Sequence, residues 1–365
     1  MFRRFQTLVG FALIAGVAGI GWHHMGSTVR AQGAKPGLEP ISGQAIAFAV
    51  SEPLRDIAAR EAGRVAERRP DATLYSVPNR SLPRSFVLDS YGMRDTDPVI
   101  ENVTINGGSL PPPLLTFEGV SNADNTAAFG GQVYPPDTNG DVGPNHYVQM
   151  VNLLYRVFNK AGTPLIGPTK LSSLFTPIGG TCAASDKGDP VAMYDELADR
   201  WVLSQFGFTS LNSPPYYECI AVSQTPDPTG AYYLYAFQTP GNEFPDYPKL
   251  GVWPDGYYMT VNQFTNGGPF NGTGAYAFNR AKILAGDPTA NFIYFNLNLV
   301  SYPEAIGGML PSDLDGPPSG RPNIFSYFTA NEYGDVQGDA LRLFELTPNF
   351  TTPAASTFTE LPFVP

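Results

Sequence analysis

The sequence predicts an all-β protein, a β-propeller of four-stranded antiparallel blades, on three observations. The first is composition. The 365 residues include 38 Gly, 36 Pro, 24 Phe and 19 Tyr against only 15% charged residues, which describes many short aromatic strands joined by tight turns. The second is a hairpin and its echo. Asp246-Tyr-Pro-Lys-Leu-Gly-Val-Trp-Pro-Asp-Gly-Tyr-Tyr-Met-Thr-Val-Asn-Gln-Phe264 reads as an apolar strand, a Pro-Asp-Gly turn and an aromatic strand. Asp189-Pro-Val-Ala-Met-Tyr-Asp-Glu-Leu-Ala-Asp-Arg-Trp-Val-Leu-Ser-Gln-Phe206 repeats that order. The third is spacing. From Asp189 to Asp246 is 57 positions and from Asp246 to Asp313 is 67, near the roughly 40 to 50 residues of a blade plus insertions. A β-sandwich is the structural rival, but it would not require the repeated Asp-Pro and Asp-Tyr openings.

Residues 1–31 read as a signal peptide. Arg3 and Arg4 form a basic start, residues 8–20 an apolar run, and Val29-Arg-Ala31 a small-residue end suited to cleavage. That run is shorter than the roughly 20 residues of a membrane-spanning helix, so the expected product is secreted, extracellular or periplasmic, with no transmembrane anchor after cleavage. Residues 32–110 read as an N-terminal extension. Its start, 32–50, is Gly- and Ala-rich and is expected to be loose. One helix follows at about 52–69, capped by Ser51, with Leu54, Ile57, Ala58, Ala62 and Val65 at helical spacing and a stop at Arg68-Arg69-Pro70. Its thin apolar stripe fits a docked helix, a pro-segment or a tether. An extended linker then carries short apolar runs to Pro111-Pro-Pro113, which cannot donate to a strand ladder.

Residues 111–365 form the propeller-like domain. Segments 146–152 and 154–158 pair first. Residues 191–194 pair with 201–206, and 219–223 with 232–237, giving one four-stranded sheet. Residues 249–252 pair with 257–263 across Pro254-Asp-Gly256, a type I turn with Gly placed for a bulge; 275–278 and 292–297 complete a second sheet. Segments 324–330 and 341–346 start a third. Cys182 and Cys219, the two cysteines, most simply form one disulfide in an exported chain, with metal binding the lesser alternative.

Charge excludes one class of partner. The formal net charge is −11, from 22 basic and 33 acidic residues, and no basic stripe follows residue 70, so no nucleic acid is expected. Asp137, Asn139 and Asp141 place oxygen side chains at alternate positions in a Gly-flanked loop, which suits a structural Ca2+; the competing reading is a loop bonded to its own backbone. Asp189, Asp246 and Asp313 each precede an apolar strand that would be innermost in its blade. The three are candidate catalytic acids meeting at one end of the channel, set against a purely structural role in shaping turns. Trp253, Tyr257 and Tyr258 are candidate sugar-stacking residues, or packing between blades. Lys249 is expected to pair with Asp246 or Asp255. His146 is the one histidine after the leader, and no Gly-x-Ser-x-Gly elbow supports a serine triad.

The run Pro135-Pro-Asp-Thr-Asn-Gly-Asp-Val-Gly-Pro-Asn-His-Tyr-Val-Gln149, with Asp189-Pro, Asp199-Arg-Trp201, Glu218-Cys-Ile-Ala-Val-Ser223, Asp227-Pro-Thr-Gly230 and Asp246-Tyr-Pro-Lys-Leu-Gly251, resembles a family of secreted bacterial proteins of uncharacterised function similar to sialidase-like β-propellers. The resemblance covers about residues 110–365 and implies a propeller without implying an activity. Relatives of this kind continue with further blades, so the domain is expected to be truncated at its C-terminus, the propeller incomplete. A sialidase would want arginines converging on a carboxylate, whereas Arg156, Arg200, Arg280, Arg321 and Arg342 are scattered. Two functions follow as expectations. The leading one is a secreted or cell-surface binding or scaffold module whose partner is an extracellular glycan or protein; the alternative is a carbohydrate-active hydrolase, a glycosidase, using channel-facing carboxylates.

Overall fold

A computed structural model of the chain describes residues 38–62, 112–184, 186–302, 306–317, 320–330 and 339–362. The expected signal peptide, the second half of the expected helix and most of the expected linker lie outside these residues. The period of two built into the aromatic runs produces four four-stranded antiparallel sheets, taken in chain order. The first holds β2 (Asn139–Val142), β3 (His146–Val151), β4 (Leu154–Asn159) and β5 (Pro164–Lys170). The second holds β6 (Val191–Asp195), β7 (Arg200–Ser210), β8 (Ser213–Ser223) and β9 (Tyr232–Gln238). The third is β10 (Glu243–Val252), β11 (Gly256–Thr265), β12 (Phe270–Asn279) and β13 (Asn291–Leu297), and the fourth β14 (Leu310–Pro311), β15 (Asn323–Thr329), β16 (Ala340–Thr347) and β17 (Thr357–Glu360). These are propeller blades, each with its first strand innermost.

Alternate residues of one strand serve opposite interfaces. On β7, Leu203 packs toward blade one with Val148, Met150 and Tyr155, while its neighbour Val202 packs toward blade three with Tyr235, Tyr257 and Met259. On β11, Tyr257 and Met259 face blade two, while Tyr258 between them faces Phe325 and Phe344 of blade four. Both faces of the middle blades are therefore apolar, and their strands read as almost continuous hydrophobic runs. At about 1.5–3 kcal/mol per fully buried large side chain, these three interfaces are the main source of cohesion.

Two features depart from the sequence expectation. Residues 41–50 are not loose: β1 (Ile41–Val50) pairs through Ile41–Gln44 with β13 and through Ala45–Val50 with β9. It joins the outer edges of blades two and three into one nine-stranded sheet, in the order β10-β11-β12-β13-β1-β9-β8-β7-β6. Small residues hide this strand from composition, yet one is required, because a Cβ on Gly43 would stand 2.6 Å from the Phe292 ring. The expected helix begins at α1 (Leu54–Glu61), and Ser51 does not cap it. The Ser51 hydroxyl accepts instead from the Tyr232 amide at 2.8 Å, while the first helical amides, those of Leu54 and Arg55, donate to the carbonyls of Gly230 and Thr229. A blade turn thus supplies the acceptors that a helix N-terminus lacks, and Leu54, Ile57 and Ala58 are buried against blades one and two. The helix docks.

Further short helices appear where one was expected. α2 (Asn122–Phe129), which carries a Ser121/Asp124 capping box, precedes the first blade, and α3 (Leu171–Phe175), α4 (Gly180–Ala184) and α5 (Arg280–Leu284) connect strands. No described helix is long and apolar enough to cross a membrane. The disulfide forms as expected: Cys182 on α4 bonds Cys219 on β8, closing a separation of 37 residues inside the first core.

One buried acid sits in the core without a cation. Glu218 on β8 is 1% exposed, and neither carboxyl oxygen has a hydrogen-bond partner. Burial pushes it from 4.5 up to about 8, with the nearby Ser204 hydroxyl opposing that rise. The folded chain therefore binds this proton more tightly than the unfolded chain. Its stabilising effect is complete below pH 4.5 and is lost as pH rises through about 8. We expect the stability of the wild type relative to Glu218→Gln to fall by a few kcal/mol between about pH 5 and pH 9; parallel melting-temperature curves for the two proteins would sink this assignment.

Candidate functional site

The innermost strand of an antiparallel blade has one edge with no ladder partner in its own sheet, and unpaired buried amides are costly. Here side chains of the adjacent blade serve that edge. The Ala192 amide on β6 donates to Asn139 Oδ1 and the Tyr194 amide to Asp141 Oδ2, each at 2.7 Å. Tyr247 on β10 donates its amide to Asp189 Oδ2 at 2.9 Å, and Val252 donates to Asp313 Oδ1 at 2.7 Å. The alternation of Asn139 and Asp141 thus matches the two-residue spacing of the amides on β6.

The residues expected to hold calcium are among those that make these bonds. Asn139 and Asp141 bond backbone amides, Asp141 Oδ1 also accepts from the Val142 amide, and Asp137 Oδ2 accepts from Asn152 Nδ2 at 2.7 Å. Among the described residues, no group of three or more His, Cys, Asp or Glu is arranged to hold a metal ion. The alternation of oxygens follows the strand's period of two.

The three expected catalytic acids do not gather together. Asp189 and Asp246 do meet, 8% and 6% exposed, and the third member of their cluster is Asp137. Asp313 lies instead against Val252, six residues beyond Asp246 along β10, or roughly 20 Å at 3.3 Å per residue; its charged neighbours are Asp315 and Asp141. Burial raises Asp313, while the amides of Val252 and Leu314 oppose the rise.

Asp189 is strongly perturbed. Burial raises it well above the usual carboxylate range, the charges of Asp246 and Asp137 and a hydrogen bond with Asp137 raise it further, and only the Tyr247 amide opposes them. The backbone is strained at the same place. Asp137, Asp189 and Tyr247 all have positive φ, at 38°, 44° and 54°, a region that non-glycine residues enter at a cost of about 1–3 kcal/mol. Asn152, in the turn between β3 and β4, is 0% exposed and links the acids: its Nδ2 donates to Asp137 and its Oδ1 accepts from the Asp189 amide at 2.9 Å. Sequence reasoning passed over both Asn152 and Tyr247. Tyr247 is 50% exposed, and Lys249 Nζ lies 3.4 Å from its ring centroid, so Lys249 contacts an aromatic ring.

The expected stacking residues differ in exposure. Tyr257 and Tyr258 are 0% exposed, leaving no ring face for a sugar. Tyr257 donates to Asp195 Oδ2, which also receives Arg280 Nε at 2.7 Å, and Tyr258 donates to Asp255. Trp253 is partly buried and donates its Nε1 to the Arg321 carbonyl at 2.7 Å, tying blade three to blade four.

No protein-family model and no curated protein sequence matches the chain. Among solved structures it is similar to a GH43 endo-arabinanase from Bacillus licheniformis, at 11% identity and a TM-score of 0.31, over 62% of this chain and 92% of that one. It is also similar to an exo-β-1,3-galactanase from Clostridium thermocellum, at 12% identity and a TM-score of 0.32, over 64% of this chain and 60% of that one. These likenesses are weak, and the chemistry must be carried by the chain's own residues.

Asp141→Ala removes the acceptor for Tyr194, and we expect it to lower stability by about 1–3 kcal/mol, equally with and without a chelator. A loss that appears only when calcium is present in the wild-type sample would return the loop to an ion-binding role.

Proposed function

We propose that the protein is a glycoside hydrolase acting outside the cytoplasm, with Asp189 as its acid. The observation that carries this reading is the buried pairing of Asp189 with Asp246 and Asp137, which favours a retained proton on Asp189 at pH values where a solvated Asp has lost it. Cleaving a glycosidic bond requires two carboxyl groups in opposite states, one to protonate the leaving oxygen and one to act as base or nucleophile. Asp189 then transfers its proton to the departing oxygen as the carbon–oxygen bond breaks. Asp246 takes a proton from the water whose oxygen bonds to the sugar carbon, and exchange with solvent restores both groups. The half-exposed Tyr247 ring next to Asp246 is suited to stacking against a sugar, and the positive φ values around the acids are the kind of local strain that accompanies functional sites.

A second reading is a binding or scaffold module. It is favoured by the hydrogen bond from the Tyr247 amide to Asp189, which gives that acid a structural task as well.

The two readings separate in an assay of the purified protein on a panel of polysaccharides and chromogenic glycosides. We expect turnover by the wild type, a loss of about 10²–10⁴-fold in Asp189→Asn and Asp246→Asn with melting temperature largely kept, and little change in rate for Asp313→Asn. The rate should fall on the alkaline side as Asp189 gives up its proton, because its deprotonated form cannot act as acid. Absence of turnover across the panel, or full activity in Asp189→Asn, would leave the binding module standing. Tyr247→Ala should raise KM by about tenfold with a smaller effect on kcat, the mark of lost stacking on the ground state.

A further inference from the structure

We propose that blades two and three enclose an internal water-binding site, with Glu218 and Ser204 as its hydrogen-bonding side chains. The site lies in a blade interface, apart from the acid cluster, and holds under either reading of the function.

The pattern of residues on blade two places it. The side chains of β8 that face blade three run Tyr216, Glu218, Ile220, and those of β7 run Phe206, Ser204, Val202. Tyr216 and Phe206 belong to one apolar cluster with Phe244, Phe264 and Phe270 of blade three, while Ile220 and Val202 belong to another with Tyr257, Met259 and Tyr294. Both strands therefore pass from one apolar cluster to the next through a single polar residue. Glu218 stands opposite Phe206 in the ladder and Ser204 opposite Ile220, so the acid and the hydroxyl are diagonal neighbours on one face, about 7–8 Å apart along the sheet.

Both residues are buried, Glu218 at 1% and Ser204 at 0% exposure. Neither carboxyl oxygen of Glu218 has a hydrogen-bond partner among the described residues, nor has the Ser204 hydroxyl. Ser204 is close enough to favour charge on Glu218, but the two do not meet in bonding geometry. Buried polar atoms are costly unless paired, and native folds pair them with protein groups or with ordered water. Blade three does not supply the partner from its own polar groups in this interface. There the Tyr294 hydroxyl donates to Gln263 Oε1, and Gln263 Nε2 donates to Asn296 Oδ1 at 2.8 Å. A Cβ on Gly274 would stand 2.9 Å from Gln263 Oε1, so this half is closely packed.

The donor set suits water rather than an ion. Calcium takes about six to eight oxygens, whereas Glu218 and Ser204 offer three, and the carbonyls of β7 and β8 face strands on both sides. A buried water is held by about two to four polar groups. It can donate to a Glu218 oxygen while accepting from the Ser204 hydroxyl.

The test joins a crystal structure of the full chain, at a resolution that shows ordered solvent, with melting curves. We expect a water within about 3.2 Å of both a Glu218 oxygen and Ser204 Oγ, and the same melting temperature in sodium, potassium, calcium and choline chloride at equal ionic strength. Water-to-amide cross-relaxation in the labelled protein should reach Ser204 and Glu218, and it should be lost in Ser204→Val, which exchanges the hydroxyl for a methyl group and fills the space. A dry interface in which Ser204 donates directly to Glu218 overturns the proposal. So does a cation-specific rise in melting temperature that Glu218→Gln abolishes, because the guest is then an ion. The structure and the salt series of the wild type decide the matter even where Ser204→Val does not fold.

Discussion

The structure depends on how the free inner edge of each blade is satisfied. Neighbouring blades twist away from each other and cannot continue a ladder across the channel, so the innermost amides would be buried without acceptors. Asn139, Asp141, Asp189 and Asp313 reach across and accept from Ala192, Tyr194, Tyr247 and Val252. Each such bond contributes about 1 kcal/mol net, but leaving its amide unmet would cost about 1–3 kcal/mol. The acids are therefore kept close to the channel for a reason unrelated to chemistry. One of them, Asp189, is also buried beside Asp246 and Asp137, the cluster on which the proposed chemistry rests.

Much of this was legible in the sequence, because a period of two and turn residues are local signals. The strands 191–194, 201–206, 219–223 and 232–237 were placed inside β6 to β9, and Cys182 and Cys219 were paired correctly. What the sequence could not show was how one element meets a distant one. Ile41–Val50 reads as loose chain because its small residues carry no hydrophobic rhythm; it becomes a strand only because the edges of β9 and β13 are available to it. Ser51 looked like a helix cap, yet the Tyr232 amide, 181 positions away, claims its hydroxyl. The alternate spacing of Asn139 and Asp141 also matches the amides of Ala192 and Tyr194 in another blade.

The candidate site was half legible for the same reason. Repeated positions identified Asp189 and Asp246, since equivalent residues at the start of neighbouring inner strands are brought together by the propeller itself. The repeat misplaced Asp313, because the fourth inner strand, Leu310–Pro311, is short and its acid follows the strand instead of preceding it. Asn152 and Tyr247 had no sequence signal at all. Their roles come from a turn conformation and from exposure, and neither is encoded by residue type.

Three buried acids of this chain meet three different fates, and the contrast explains why only one is a candidate for chemistry. Asp195 is matched by a bidentate guanidinium, with Arg280 Nε at 2.7 Å and Nη2 at 2.9 Å, and by the Tyr257 hydroxyl; its charge is compensated. Glu218 has no hydrogen-bond partner for either carboxyl oxygen, and burial raises it to about 8. Asp189 alone combines a raised carboxyl with neighbouring carboxylates, a strained backbone and a half-exposed aromatic ring. Catalysis by proton transfer needs an acid and a base held together in opposite states, and of the three environments only that of Asp189 sets carboxyl groups side by side, which is why the proposed hydrolase reading rests on it.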